Sequence, residues 1–576
     1  MYLRRTRFLL AAVPLIYINA AQADKPEINI LGAPENLESN ILAHLSIASE
    51  ICDLSDWRAK RRLKDTDSEV QRAAQALGYY RLKFTKEYAQ TESCWSLTLR
   101  VDPGPQVIVT KLDIVVNGHA DNDEDFNTLL NNLPLQIGAP LNHSDYDRIK
   151  SSLSSLALEK GYFDAQFTQA KLQIYPSSLE AEIIIHFDSG ARFLFGEIEI
   201  EQSFLSDDFI NRYKTIKRGD YYSNQKLLEL REVLNNSRYF ERVNIREQLD
   251  DITNREIPVL IELTQRPRRS YAVGLGAATD TGVRLKLEYE DRYLNGQGHS
   301  LDSDLILSPV RSEFNVDYRI PLQQPATEHL GLYGGIVREN IDNADFETLT
   351  LGSRYSTIPS KGWGLSYFLN YQRETFEVMD DTELTRLLIP GISVTRIKTD
   401  DPTYPLHGWR FSTQLRSGSD KLVSDINFTH LSINLKAVEK FGPGRILARI
   451  EAGTVNTNNF SELPNSLRFY AGGDNSVRGY EYKTLSPVDD LGETIGGENL
   501  LVGSIEYDYR FKGSNWAAAI FYDQGNAYTG DERDLKRSAG MGIRWISPIG
   551  PIRLDAAQQL DDEKDYRFHL SMGPDF

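Results

Sequence analysis

The sequence predicts three small α+β repeats followed by a transmembrane antiparallel β-barrel of about 16 strands. Three observations carry that prediction. A pattern of helical stretch, aromatic turn and alternating strand recurs three times before Pro267, at a spacing of about 80 residues. After Pro267 the helical period disappears, and strands with one apolar and one charged face recur as far as Met572. No stretch of 18 or more apolar residues follows the N-terminal segment, so no helical membrane span is predicted.

The chain has 576 residues and a formal net charge of -18. That length predicts several domains. The mean hydropathy of -0.42 argues against a helical membrane protein, and the pI of about 5.1 argues against nucleic acid as a partner, because phosphate binding needs a basic surface. Tyrosine is the commonest aromatic, with 29 residues, and it suits both β-structure and membrane interfaces.

Residues 1–23 read as a secretory signal peptide. Arg4, Arg5 and Arg7 form a basic start, Phe8 to Ile18 an apolar core, and Ala21-Gln22-Ala23 a cleavage site, so the mature chain begins at Asp24. A short buried helix is the alternative. Export places Cys52 and Cys94 in an oxidising compartment. A disulfide between them would contribute about 3–4 kcal/mol in the chain-entropy picture. The alternative is a pair of buried thiols.

The repeats are assigned to residues 24–104, 105–189 and 190–267. Their marks are Gly78-Tyr79-Tyr80, Gly161-Tyr162-Phe163 and Ser237-Arg238-Tyr239-Phe240, together with Gly138-Ala139-Pro140-Leu141 and Gly219-Asp220-Tyr221-Tyr222 ahead of two of the helices. Each unit reads strand, helix, helix, strand, strand. In the second, Val107, Val109 and Leu112 open a strand. Tyr146 to Leu158 is a helix with Ile149, Leu153, Leu156 and Leu158 on its apolar side, and Phe163 to Phe167 and Ala181 to Phe187 close the sheet. Such a sheet has free edges that can add a partner's strand, or the units can be spacers; the residues leave both open.

Residues 268–576 form the barrel. Val283, Leu285, Leu287 and Tyr289 alternate with Arg284, Lys286, Glu288 and Glu290. The same two-faced pattern recurs in Trp409 to Arg416, Leu501 to Phe511 and Tyr566 to Met572. A soluble sandwich would turn the polar face to water, whereas a barrel turns the apolar face to lipid. Aromatic residues at the ends of the apolar faces and the length of the pattern favour the barrel. Strand numbers of 14, 16 and 18 are all compatible with that length.

The chain has no H-E-x-x-H, C-x-x-C, G-x-x-x-x-G-K-[ST] or G-x-S-x-G, so no metal, cofactor or catalytic residue is assigned. A Ser–His hydrolase using His430 or His569 lacks a nucleophile that can be placed from sequence.

Residues 468–482 contain Val477-Arg478-Gly479-Tyr480, preceded by Gly472-Gly473. This segment resembles the loop signature of the superfamily of outer-membrane assembly factors and two-partner-secretion transporters. Gly503-Ser504-Ile505-Glu506-Tyr507 and Phe521-Tyr522-Asp523-Gln524-Gly525 are similar to two later strands of that family, and Asn295-Gly296-Gln297-Gly298-His299 to its first hairpin turn. The resemblance implies that the repeats are POTRA domains and that the segment is the sixth extracellular loop, folded into the lumen. An arginine there needs a carboxylate partner. Glu506 and Asp523 are the available ones, Glu506 on the polar phase of its strand and Asp523 more loosely so. Gly479 allows a tight turn. A solvated Gly-rich loop is the alternative.

BamA-like members usually carry five POTRA units, and two-partner transporters carry two and a plug helix. Three units, the cysteine pair and the Gly-Pro-Asp-Phe terminus are most similar to the TamA branch, the translocation and assembly module. That likeness implies insertion or export of client outer-membrane proteins such as autotransporters, with the lipid bilayer and a TamB-like, inner-membrane-anchored periplasmic protein as partners. The first repeat is expected to dock that protein. Pairing at the end of the chain is expected to stop near Met572. Clients would add at a weak lateral seam between a first strand, Tyr271 to Ala277, and a last strand, Tyr566 to Met572. Tyr271, Gly274 and Gly276 lie on one side of it and Tyr566, Phe568, Leu570 and Met572 on the other. A two-partner-type secretion pore for an unfolded exoprotein is the alternative, and a passive porin poorly explains residues 24–267.

Overall fold

The computed structural model describes residues 26–576 apart from 91–93, 281, 342–343, 361, 379–380, 491, 532, 549 and 562–564. The expected leader and Asp24 lie outside the described residues. Two compact units result. The first holds the described residues up to Glu197 with Arg218–Lys226 and Gln248–Pro258, and the second holds Ile198–Lys217, Leu227–Glu247 and Val259–Phe576.

The first repeat comprises β1 (Glu27–Leu31), α1 (Glu35–His44), α2 (Asp56–Ala76), β2 (Lys83–Gln90) and β3 (Trp95–Asp102), with sheet order β1-β3-β2. Period-two alternation in β3 buries Trp95, Leu97, Leu99 and Val101 against Val70, Ala73 and Ala74 of α2 and Leu37 and Ile41 of α1. A disulfide joins Cys52 to Cys94. Beside it the Trp95 Nε1–H donates to the Ile51 carbonyl at 2.9 Å. The Arg62 side chain, and Arg58 with it, hold the Glu50 carboxyl below the usual carboxylate range.

The second repeat comprises β4 (Ile108–Asn117), α3 (Glu124–Asn131), α4 (His143–Lys160), β5 (Gln166–Tyr175) and β6 (Glu180–Asp188), ordered β4-β6-β5. On α4 the buried stripe is Ile149, Leu153 and Ala157, spaced by four. Leu158, expected on that stripe, is 56% exposed, because it lies one position, about 100°, around the helix from Ala157. Phe163, expected in a strand, instead lies in the turn before β5 and packs edge-on against Tyr222 at 5.0 Å.

The third repeat comprises β7 (Leu194–Glu201), α5 (Asp207–Asn211), α6 (Asn224–Asn235), β8 (Phe240–Glu247) and β9 (Glu256–Gln265), ordered β7-β9-β8. The aromatic turns that mark the repeats in the sequence are joints to the next module along the chain. Tyr80 Oη lies 2.7 Å from His143 Nε2, Phe163 meets Tyr222, and the Tyr239 hydroxyl donates to the Gly298 carbonyl at 2.6 Å.

The barrel has sixteen strands: β10 (Arg269–Ala278), β11 (Gly282–Asp291), β12 (Ser300–Leu307), β13 (Arg311–Pro321), β14 (His329–Ile341), β15 (Ala344–Ser360), β16 (Trp363–Val378), β17 (Asp381–Thr399), β18 (His407–Gly418), β19 (Phe428–Phe441), β20 (Gly444–Thr457), β21 (Asn499–Arg510), β22 (Trp516–Tyr528), β23 (Lys536–Ser547), β24 (Gly550–Gln559) and β25 (Tyr566–Met572). Each pairs antiparallel with the next. The outer face is apolar, with Leu275, Ile505, Met541 and Phe568 exposed, while Glu506, Asp523, Arg544 and Asp555 are buried inside. A soluble sandwich would bury the apolar set and expose the charges, so this inversion fits a lipid-facing barrel.

The segment 295–299 connects β11 to β12, so it is the second barrel connection; the first is the short turn at Thr279 and Asp280. Gly298 sits there at φ +72°, and a Cβ on it would lie 2.4 Å from the Phe209 ring.

Candidate functional site: the lumen loop and the barrel seam

The connection between β20 and β21 is long and forms its own small core. Ala471, Val477, Tyr480 and Leu485 pack with Val502 of β21. Leu463, Leu467 and Phe469 pack against Leu387, Ile389, Phe428 and Val455 of the wall. The loop therefore lies within the barrel, its apolar residues covered by strand residues.

At its centre Arg478 is 6% exposed. Its Nε and NH2 donate to the two oxygens of Asp523 at 2.7 and 2.9 Å, and its NH1 donates to Glu506 at 2.7 Å. The Arg478 amide also donates to Asp523, at 3.1 Å. The structure thus seats Arg478 against both carboxylates singled out from the sequence. It adds groups that sequence reasoning missed. Asp555 accepts from Arg478 at 3.2 Å, Arg544 bridges Glu506 and Asp555, and the guanidinium lies 3.4 Å over the Phe521 ring. Ser504 donates to Asp523 at 2.6 Å. Two guanidinium groups therefore share three carboxylates, in the geometry that makes burial of charge tolerable.

Gly479, at φ +94°, brings the backbone against the wall. A Cβ there would stand 3.3 Å from Ser538 and 3.5 Å from Ala557. Its amide donates to His569 Nε2 at 2.8 Å, and its carbonyl accepts from Gln559 at 2.8 Å. Val477 and Tyr480 are buried on either side of this contact. Farther along the loop, Tyr482 and Lys483 both reach Glu339 of β14, which also pairs with Arg311.

The seam lies between β10 and β25. The sheet begins at one and ends at the other, and among the described residues no backbone ladder joins them. On β10, Ala272, Gly274, Gly276 and Ala278 share the lumen face. Ala277 belongs to the opposite phase with Tyr271, Val273 and Leu275. On β25, Tyr566 and Phe568 are exposed on the outer phase, which Leu570 and Met572 share, and His569 points inward at 2% side-chain exposure. After Met572 the chain turns inward, and Asp575 is buried between Arg445 and Arg553 at 2.8 and 2.6 Å.

Asp280, Asp474 and His569 place potential ligand atoms within 4.8 Å of one another. Both His569 nitrogens already have partners, however. Nε2 accepts from Gly479, which leaves Nδ1–H to donate to Asp474 at 2.6 Å. The grouping is a hydrogen-bonded chain that a metal would have to break. His430, the other histidine singled out, stacks on Phe469 and meets Arg416.

An apolar exterior, a charged interior with an inserted loop, and α+β repeats ahead of the barrel define an outer-membrane β-barrel protein with periplasmic POTRA domains. Residues 270–576 match the sequence profile of the Omp85 superfamily domain, and residues 27–103 that of the POTRA domain TamA domain 1. The chain belongs to the Omp85 superfamily. It is similar to the outer membrane protein assembly factor BamA of Nitratidesulfovibrio vulgaris strain Hildenborough, 27% identical over 403 residues, 64% of this chain and 49% of that protein. BamA of Neisseria meningitidis serogroup B is 23% identical over 471 residues, 69% of this chain and 58% of that one. The chain thus spans about half the length of the relatives it matches. The crystal structure of BamA from Haemophilus ducreyi lacking POTRA domains 1–3 superposes with a TM-score of 0.67 at 14% identity, covering 81% of this chain and 99% of that one, a likeness of fold.

Proposed function

We propose that the chain is a non-enzymatic assembly factor that inserts or exports other outer-membrane proteins, autotransporters among them, by adding client strands at the seam between β10 and β25. The observation that carries this reading is the missing ladder between the two end strands. Unpaired backbone N–H and C=O groups are costly in lipid, so an edge there favours any strand that can satisfy it. The side-chain-poor inner face of β10 makes its pairing to a fixed neighbour weak. A TamB-like periplasmic protein would dock on the first repeat, whose β1 and β2 are free sheet edges.

The test is site-specific crosslinking. Cysteines placed along β10, at Val273 or Leu275, should capture the terminal strand of a client arrested during assembly, in a register that shifts by two with the cysteine. Crosslinks confined to the lumen wall, with a large steady ion conductance of the wild-type protein, would instead indicate a two-partner-type secretion pore.

A further inference from the structure

Side chains close the seam where backbone does not. Asp474 stands in the lumen loop four residues before Arg478. One of its oxygens, Oδ1, accepts from the Thr279 hydroxyl at 2.7 Å and from His569 Nδ1–H at 2.6 Å. Thr279 lies in the turn that follows β10, and His569 lies on β25. The Thr279 oxygen also accepts from the Leu570 amide of β25 at 3.3 Å. Asp474 is therefore bonded to both edges of the seam at once. Its side chain is 3% exposed.

We propose that Asp474 is the latch of the seam, a positioning residue that holds β10 and β25 together through Thr279 and His569 and must let go before a client strand takes the edge. This rests on the reading of the seam as the site of client addition. Two features make the latch releasable. Among the described residues the second carboxylate oxygen of Asp474, Oδ2, is buried without a hydrogen-bond partner, and such a group opposes closure. The Asp280 carboxylate accepts the Asp474 amide at 2.5 Å, its ligand atom lies within 4.8 Å of the Asp474 one, and like charges that close repel. Attraction through one oxygen is thus offset by strain at the other, and a few short bonds take the place of a ladder.

The geometry predicts opposite effects at two neighbouring carboxylates. Asp474→Ala removes both bonds and should loosen the seam. Asp280→Asn keeps an oxygen for the Asp474 amide, removes the repulsion and should tighten it. Thr279→Val keeps the shape of the side chain and loses only the hydroxyl, so it should loosen the seam without disturbing the barrel.

The experiment uses the full chain in phospholipid vesicles, with nitroxides on Ala277→Cys and Leu570→Cys, and measures dipolar broadening in the frozen state. The parent labelled protein should show strong broadening. Asp474→Ala and Thr279→Val should each lose half of it or more, and Asp280→Asn should retain or increase it. Heat-modifiable electrophoretic mobility reports the folded barrel in each variant. Broadening unchanged in both Asp474→Ala and Thr279→Val would overturn the latch. Client insertion is measured in parallel. If the seam loosens and insertion rates stay the same, the latch stands and the seam reading of function falls.

Discussion

Arg478 and Asp523 meet fork to fork, 45 residues apart in the chain, with three nitrogens of the arginine, its amide included, sharing two carboxylate oxygens. No point charge reproduces that contact. Arg478→Ala should leave Asp523, Glu506 and Asp555 facing one another beside Arg544 alone, a loss of about 3–5 kcal/mol at the loop. Limited proteolysis at residues 468–490 should accelerate while the barrel stays folded. Arg478→Lys should restore part of the protection. In a double-mutant cycle with Asp523→Ala the effects should be strongly non-additive; simple addition would show that the pair is not formed.

The joint between the first two repeats should respond to acid. Burial holds the His143 imidazole below its ordinary value, and Tyr80 Oη lies 2.7 Å from Nε2. A histidine depressed in the folded state binds fewer protons there than in the unfolded chain, so stability falls as pH drops below about 6.5. Protection factors of amides around Tyr80 and His143, corrected for the slower intrinsic exchange in acid, should fall between pH 7 and pH 5. His143→Gln, which cannot be protonated, should flatten that response.

Tyr239→Phe removes the hydroxyl bond to the Gly298 carbonyl and should cost about 1 kcal/mol, read as faster exchange of residues 294–300. Gly298→Ala should cost more, since it strains a left-handed backbone and drives a methyl into Phe209.

Reducing the Cys52–Cys94 disulfide should release the segment ahead of α2 from β3. With the cysteines 42 positions apart, the loss is about 3–4 kcal/mol. Exchange should rise around Ile51 and Trp95 and stay unchanged in the barrel.

The barrel was legible because lipid enforces a period of two on every spanning strand, and Tyr566 to Met572 follows it without a break. Helix phase was harder. Five apolar residues from Ile149 to Leu158 admit two stripes, and only packing selects the one through Ala157. The charged cluster was partly hidden for a similar reason. In β22, Trp516, Ala518, Ile520 and Tyr522 face outward while Ala517, Ala519, Phe521 and Asp523 face inward. Both phases are apolar, so alternation alone does not tell lipid from lumen, and Phe521 gave no sign that it lies beneath a guanidinium. Asp555 and Arg544 sit on ordinary polar phases. Parity places them inside the barrel, but only tertiary structure brings them to Arg478.

The wall of the barrel is uneven in height. β25 has 7 residues, β12 has 8 and β10 has 10, whereas β17, on the opposite side of the strand order, has 19. At a rise of about 3.3 Å per residue and a tilt of about 45°, seven residues climb roughly 16 Å and nineteen roughly 44 Å, against an apolar band of about 25 Å. Lipids beside the seam must compress to match the short sector, at fractions of a kcal/mol per ångström. A wall of that outline would thin the bilayer beside the seam, and a client strand added as proposed above would cross less oil there than elsewhere on the circumference.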